Sequence, residues 1–414
     1  MASGVTSPSV ARAGHGTGSR IVELDGLRAI AILLVLGCHY PGFANHLWRI
    51  PEFGWIGVDI FFALSGYLIT TILLGLRSRP TPYRTFYSRR LIRILPPYLV
   101  VTFFLFAVAI VQHWKLLNLA ISQIFFLQAF QDLTRDFLRQ LIHHPKFYLT
   151  HLPPLLQYAH NLRPAQAGVE MICANAPGTY WSLSIEEYFY LLWAPIVLRC
   201  SRRTILRIVL GVCAAEMFVR WMAGYIAYFS LLSRFDALLY GALLALLLER
   251  WRDRGTPPWS GRFFAMIVTC SSAAIAGILF AIRPILGREI RVSPLFLVIG
   301  LSLFSIAVAG LVGLLLRNAG NSWWLGRLLR SRVLVFLGTI SYTMYLAHII
   351  AGAAVHNLLT LAVLRIPPII EAIFATILTI LISYASWHWL EKPLLRWKDR
   401  RFPNAPHPPE PRLS

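Results

Sequence analysis

Residues 55–76, WIGVDIFFALSGYLITTILLGL, form an apolar run with one charged residue, Asp59. About 20 helical residues cross the hydrocarbon core of a bilayer, so this run has the length and composition of a transmembrane helix. Comparable runs recur at approximately 25–42, 94–112, 180–198, 204–226, 230–249, 262–282, 294–316, 333–358 and 368–390. The sequence therefore predicts an all-α, polytopic integral membrane protein with about ten transmembrane helices.

The composition of the whole chain agrees with this class. Hydrophobic residues make up 57% of the 414 residues and charged residues only 14%, a balance that excludes a soluble protein of this size. The formal net charge is +21, which in a soluble chain would indicate nucleic-acid binding. Here the basic residues flank apolar runs, as they do in cytoplasmic loops, so we expect no nucleic-acid partner. The five cysteines are scattered without a CxxC pair, which argues against a zinc site.

Whether a shorter apolar run, 117–131, crosses the membrane decides the predicted orientation of every later helix. This run contains polar amides. If it does not span, most basic residues fall on the cytoplasmic side together with both termini. We therefore predict that this run is re-entrant or interfacial, within one long external segment, 113–179. The predicted domains are a disordered cytoplasmic tail (1–20), a membrane domain (21–397) and a second disordered cytoplasmic tail (398–414).

Charged residues inside apolar runs are costly, and they indicate functional sites. Arg28 and His39 share one face of the first predicted helix, about 16 Å apart along its axis, because their spacing is close to three helical turns. Arg90 and Arg93 stand at the cytoplasmic mouth of the third helix. Guanidinium groups bind phosphate oxygens bidentately, so these arginines predict a phosphate-bearing ligand that enters from the cytoplasm. A role for Arg90 and Arg93 as positive-inside anchors stays open.

A second group of ionisable side chains falls in the outer halves of the predicted helices. Its members are His39, Asp59, Glu186, Arg234, Asp236 and His348. A histidine near carboxylates suits general-base chemistry, since its pKa lies near neutrality. Structural roles compete: Arg234 and Asp236 are expected to form an ion pair at a helix end, and His348 is equally suited to a hydrogen bond with a neighbouring helix. We expect Glu186 to face inward and Glu187 to face solvent or headgroups, because adjacent helical positions differ by about 100°.

Several short motifs occur in order along nearly the whole chain. They are Leu24–Ala29 (LDGLRA), Gly57–Ile69 (GVDIFFALSGYLI), the Arg90 and Arg93 pair, Trp181–Tyr190 (WSLSIEEYFY), Arg234–Gly241 (RFDALLYG), Ser341–His348 (SYTMYLAH) and Leu390–Pro393 (LEKP). Each motif alone is weak, but together they resemble acyltransferase family 3, bacterial membrane proteins that O-acylate surface polysaccharides. Some members carry a further helix and an extracytoplasmic SGNH-type domain, and this chain resembles the stand-alone form.

The resemblance implies a multi-pass enzyme of the bacterial cytoplasmic (inner) membrane. Such an enzyme would move an acyl group, usually acetyl, from cytoplasmic acyl-coenzyme A to a hydroxyl of an extracytoplasmic or lipid-linked glycan, without a metal. A stand-alone form would acylate the acceptor directly or pass the acyl group to a separate extracytoplasmic transferase.

The resemblance also implies roles for particular residues. It makes His39 the catalytic base, and we expect a carboxylate, Asp59 or Glu186, to orient it. The expected donor-side contacts are Arg28, Arg90 and Arg93. Further substrate contacts are expected from Ser65, Trp181, Arg234, Asp236, Tyr345 and His348. A covalent acyl group on His39 or Ser65 is the less favoured variant of direct transfer.

The competing class is a transporter or flippase of a glycan or lipid intermediate, which would also keep charges at membrane depth. The two halves of the sequence show no obvious repeat. The charged residues group as a histidine base near carboxylates, with a cluster of arginines on the cytoplasmic side only. These features favour the enzyme. Release of free coenzyme A separates the two classes, because a transporter releases none.

Overall fold

The computed structural model describes part of the chain. The described residues are 21–40, 42–43, 54, 56–111, 180–223, 233–252, 260–286, 293, 295–321 and 323–402. Within these ranges there are helices and no strands, so the predicted all-α class is confirmed. The predicted external segment 113–179 and the tail 1–20 lie outside the described residues. The last helix runs to Arg401, past the domain boundary predicted at residue 397.

The helices lie where the apolar runs predict them. Their bounds are α1 Val22–His39, α2 Ile56–Leu76, α3 Pro82–Val111, α4 Trp181–Arg199, α5 Arg202–Ala223, α6 Phe235–Arg252, α7 Gly261–Leu286, α8 Leu301–Arg317, α9 Trp324–Leu329, α10 Arg332–Leu361, α11 Pro368–Ser386 and α12 Lys392–Arg401. Two π-helical segments, Phe296–Gly300 and Trp387–Glu391, lead into α8 and α12.

Five helical segments of the described chain are long and apolar enough to cross a membrane. They are Ile56–Leu76, Gly261–Ala281, Phe296–Arg317, Arg332–Leu361 and Pro368–Arg401. Helices α1 and α4 carry several charged side chains, which lowers their hydropathy. The number of about ten spans and the cytoplasmic position of both termini stay predictions.

Helix α2 is at the centre of the packing, where it contacts α1, α4, α6 and α8. Helix α10 packs between α1 and α11, and α7 packs against α8. The outer helices α7 and α11 leave large apolar side chains exposed, including Phe280 and Phe374. Apolar surface of this kind suits contact with lipid and leaves the polar side chains to the interior of the bundle.

Glycines let the central helices α2 and α6 approach closely. A Cβ atom on Gly66 would meet the backbone carbonyl of Leu238, and one on Gly241 would meet that of Ala63. Small residues at such crossings bring helix backbones into direct contact in membrane proteins. The positions of Ser65 and its neighbours on α2 are therefore fixed relative to α6.

Two buried ion pairs connect α2, α5 and α6. Arg234 Nη2 lies 2.6 Å from Asp59 Oδ1, and both side chains are fully buried. Arg220 Nη1 lies 2.7 Å from Asp236 Oδ2. The predicted ion pair between Arg234 and Asp236 is therefore wrong. Arg234 lies just before α6 and Asp236 lies in its first turn, and each pairs with a residue of a different helix.

The amino end of α6 is capped by Glu216 of α5. Its Oε1 accepts a hydrogen bond from the N–H of Phe235 at 2.8 Å, and its Oε2 accepts one from the N–H of Asp236 at 2.7 Å. A carboxylate here satisfies two open donors and interacts favourably with the helix dipole. Glu216 and Arg220 were absent from the predicted site, although both are charges inside an apolar run.

Candidate active site

A cavity of about 100 Å³ opens among α1, α2, α3, α4 and α10. The predicted site residues that line it are Arg28, Ser65, Arg90, Arg93, Glu186 and Tyr345. These side chains come from five different helices, so the bundle brings together residues that are distant in sequence.

Three arginines give the cavity a cationic wall. Arg28 lies 3.5 Å from Asp25 Oδ1, and the guanidinium of Arg90 lies 5.4 Å from the centre of the Tyr190 ring. Arg28 and Arg90 are partly buried and Arg93 is exposed. Three guanidinium groups that face one cavity suit an anionic ligand better than they suit headgroup anchoring.

Glu186 shares this cavity with the arginines. Its Oε1 accepts a hydrogen bond from Ser65 Oγ at 2.8 Å, and its Oε2 accepts one from the Tyr190 hydroxyl at 3.1 Å. Tyr190 can reach Glu186 because residues four apart share one helix face. Glu187 does not face away as expected: its Oε1 is buried and has no hydrogen-bond partner in the described part of the chain.

His39 lies at the end of α1 and contacts a second histidine. Its ring centre is 4.9 Å from that of His348, in an edge-to-face arrangement. His39 Nδ1 lies 2.9 Å from the carbonyl of Val35, and His348 Nδ1 lies 2.6 Å from the carbonyl of Tyr345. A carbonyl only accepts, so each neutral ring carries its proton on Nδ1 and a lone pair on Nε2. Both histidines therefore present Nε2 as the basic atom.

The expectation that a carboxylate orients His39 is wrong for the described residues. Asp59 is held by Arg234, and Glu186 is held by Ser65 and Tyr190. A backbone carbonyl fixes the tautomer of His39 in place of a carboxylate.

Tyr345 joins the cavity to the histidine pair. Its ring lines the cavity, and the ring centre lies 5.6 Å from that of His348. Its hydroxyl lies 2.5 Å from Ser182 Oγ, at the start of α4. Ser182 also lines the cavity and was absent from the predicted site. The sequence signals for it are its place in the Trp181–Tyr190 motif and a small hydroxyl residue at the beginning of an apolar run.

The remaining predicted site residues support the cavity wall from behind. The guanidinium of Arg234 lies 5.8 Å from the ring centre of Phe62, which lines the cavity, and 5.9 Å from that of Trp181. Asp59 and Asp236 take part in the two buried ion pairs. In the described part of the chain no group of three or more His, Cys, Asp or Glu side chains could hold a metal ion.

The family profile described as an acyltransferase domain matches residues 21–388. The chain belongs to acyltransferase family 3. The family assignment from the sequence motifs is thus confirmed. The cationic cavity and the histidine pair both lie within the matched region of this acyltransferase domain.

Several bacterial proteins are similar to this acyltransferase family 3 chain. A protein of Staphylococcus aureus (strain COL), named for a proposed O-acetyltransferase activity, is 27% identical over 92% of this chain and 60% of its own length. The peptidoglycan O-acetyltransferase OatA of Listeria monocytogenes is 28% identical over 90% of this chain and 56% of its own length. The chain thus spans little more than half the length of these relatives. No solved structure matches it.

Proposed function

We propose that this protein transfers an acyl group, most simply acetyl, from cytoplasmic acyl-coenzyme A to a hydroxyl of an extracytoplasmic or lipid-linked glycan. The observation that carries the proposal is one cavity with three arginines on its wall and Tyr345 adjoining a histidine pair. The names of the similar proteins support O-acetylation as the reaction. The protein would be a multi-pass protein of the bacterial cytoplasmic membrane.

The donor side of the proposal rests on charge and distance. Coenzyme A carries phosphates at one end and the thioester at the other, and Arg28, Arg90 and Arg93 offer bidentate donors to the phosphates. Arg28 and His39 are separated by about 16 Å along α1, which is of the order of the pantetheine arm. A donor bound at the arginines would therefore bring its thioester near the histidines.

The chemistry on the acceptor side follows from the tautomer of His39. Its Nε2 takes the proton of the acceptor hydroxyl, and the alkoxide oxygen attacks the thioester carbonyl carbon. The tetrahedral intermediate then expels the coenzyme A thiolate, which receives the proton from His39. The products are the O-acyl glycan and free coenzyme A. Direct transfer needs no covalent acyl-enzyme, so Ser65 serves as a hydrogen-bond donor to Glu186.

The proposed acceptor is a class of compound, a glycan with a free hydroxyl group. Peptidoglycan is one candidate, since it appears in the name of the Listeria monocytogenes relative, and other surface polysaccharides fit the same chemistry. The acyl group would reach it directly or through a separate extracytoplasmic transferase. A glycan transporter or flippase is the second candidate function, and it predicts no cleavage of a thioester.

Detergent-permeabilised membrane vesicles from the source cells test the proposal, because they contain the natural acceptor. With acetyl-CoA, wild-type vesicles are expected to release free coenzyme A and to gain alkali-labile acetate in their glycans, and vesicles from a deletion strain are not. Equal release by the two preparations would favour the transporter.

We expect Arg90→Ala to raise the KM for acetyl-CoA about tenfold to a hundredfold with a smaller change in kcat, because a charged hydrogen bond is worth about 1.5–3 kcal/mol. Donor titrations of coenzyme A release measure both constants. Arg84→Ala is the matched control, since Arg84 is an exposed arginine of the same helix. An unchanged KM for acetyl-CoA in Arg90→Ala would contradict a role of Arg90 in donor binding and would indicate that it is a positive-inside anchor.

A further inference from the structure

Helix α12 turns a lysine towards the rest of the protein. Lys398 is the buried residue of this helix, whereas its arginines are exposed: Arg396, Arg400 and Arg401. Lysine is rarely buried without a partner, because its ammonium group is strongly hydrated. A lysine that only oriented the chain in the membrane would lie in solvent or among headgroups. The burial of Lys398 therefore needs another explanation.

The carboxylate that Lys398 contacts is shared with a second cation. Lys398 Nζ lies 3.5 Å from Asp399 Oδ1, and the same oxygen accepts a hydrogen bond from Arg89 Nη2 at 2.9 Å. The Asp399 side chain is 60% exposed, so water competes for it. Arg89 Nη1 also donates to the carbonyl of Phe402, which holds the end of α12 against α3. One exposed carboxylate thus serves two cations.

Arg93 adds a third cation to this group. It stands four residues after Arg89, on the same face of α3, and its positive charge acts on Lys398. Among the described residues Arg93 forms no ion pair. The buried carboxylate of Glu391 acts on it, but Glu391 Oε1 already accepts hydrogen bonds from one hydroxyl of α10 and one of α11. The three cations meet two carboxylates, which leaves a net positive charge for an anionic ligand.

This cationic group continues the wall of the cavity at the end that is remote from the histidines. Arg93 belongs to the group and also lines the cavity. The hydroxyl of Tyr40, the residue after His39, lies 2.8 Å from that of Thr379 on α11. Lys398 follows 19 residues further along a continuous helical stretch, about 25–30 Å along its axis. A ligand whose reactive end is at His39 would therefore have its other end at Lys398.

We propose that Lys398, together with Arg89 and Arg93, binds the 3′-phosphate at the nucleotide end of acyl-coenzyme A. The inference rests on the proposed function and adds to it a second phosphate subsite, outside the cavity. Coenzyme A carries a diphosphate next to the pantetheine arm and a separate phosphate on the ribose. The diphosphate meets Arg28 and Arg90 in the cavity, and the ribose phosphate, further from the thioester, meets the lysine. Its oxygens accept from both guanidinium groups and the ammonium, which offsets the repulsion among them.

The phosphate of a lipid headgroup offers the same chemistry as the phosphate on the ribose. Lys398 is buried on the side of α12 that faces the bundle, whereas the exposed arginines of that helix are open to headgroups. This difference favours the nucleotide. Acetyl-dephospho-coenzyme A, which lacks only the 3′-phosphate, separates the two sources experimentally.

The test compares this donor with acetyl-CoA in permeabilised vesicles of the source cells, with the release by deletion-strain vesicles subtracted. In the wild type we expect the KM for acetyl-dephospho-CoA to be about tenfold to a hundredfold higher than that for acetyl-CoA, with a smaller change in kcat. Lys398→Met should raise the KM for acetyl-CoA about tenfold and leave that for acetyl-dephospho-CoA within about twofold. Arg400→Met, an exposed basic residue of the same helix, is the matched control and should keep the wild-type preference.

Each outcome decides the matter. Equal KM values for the two donors in the wild type would overturn the proposal without any variant. A preference that survives in Lys398→Met, at wild-type protein level in the membrane, would overturn the role of Lys398. An equal rise of both KM values in Lys398→Met would also overturn it and would indicate a lipid headgroup or a structural role. If wild-type vesicles release no more coenzyme A than deletion-strain vesicles, the proposed function itself fails.

Discussion

We expect His39→Ala to lower acyl transfer by about 10²–10⁴-fold, because in the proposed mechanism the acceptor hydroxyl loses the base that removes its proton. The bond from His39 Nδ1 to the Val35 carbonyl leaves the Nε2 lone pair for this role. Within the described residues the substitution removes no ion pair, so the protein should insert and fold. The KM for acetyl-CoA should change little, since the arginines are intact. Coenzyme A release with varied acetyl-CoA measures both constants.

The control for this variant is His356→Ala. His356 is a partly exposed histidine of α10 whose Nδ1 lies 2.9 Å from Glu371 Oε1, outside the cavity. Its loss should leave kcat within about twofold. Wild-type acylation by His39→Ala, in protein present at the wild-type level in the membrane, would refute the base assignment.

The second large effect is on stability. Arg234→Met should lower the free energy of unfolding by about 3–5 kcal/mol, because it leaves the buried Asp59 carboxylate without its cation. Denaturant titration in mixed micelles, followed by circular dichroism, measures the change. Arg317→Met is the control, since Arg317 is exposed, and its effect should stay below about 0.5 kcal/mol.

A double variant separates structural from catalytic roles of Asp59. Asp59→Leu together with Arg234→Met removes both charges, and most of the lost stability should return. If the restored protein transfers acyl groups at the wild-type rate, Asp59 serves only as the partner of Arg234. A stable but inactive double variant would support the catalytic role predicted for Asp59. A double variant that is no more stable than Arg234→Met contradicts the ion-pair account.

The sequence was sufficient for features that depend on one helix at a time. Apolar run lengths predicted the helix positions, because crossing a bilayer sets a minimum length. Arg28, Arg90 and Arg93 were predicted to form one site, and the three line one cavity, while their ligand stays a prediction. These inferences need only helical periodicity and the cost of a charge in an apolar run.

Features that depend on how two helices are rotated against each other were not predictable. The contact between His39 and His348 joins α1 to α10, and the crossed pairing of Arg234 with Asp59 joins α6 to α2. Periodicity predicts which face of its own helix a residue occupies, but it does not predict which residue of another helix that residue contacts. For that reason Glu186 was grouped with His39 and His348 in the outer halves of the helices, whereas it lines the cavity together with the arginines.

The glycine crossing of α2 and α6 bears on the acyl chain lengths that this protein can accept. Because Gly66 meets the backbone of α6, the cavity cannot widen by an outward shift of α2. In the proposed reaction, room for a chain longer than acetyl has to come from the lining side chains, such as Phe61, Ile94 and Leu183. We therefore expect the selectivity of the proposed donor site to depend on these side-chain volumes, and their truncation should admit longer acyl donors.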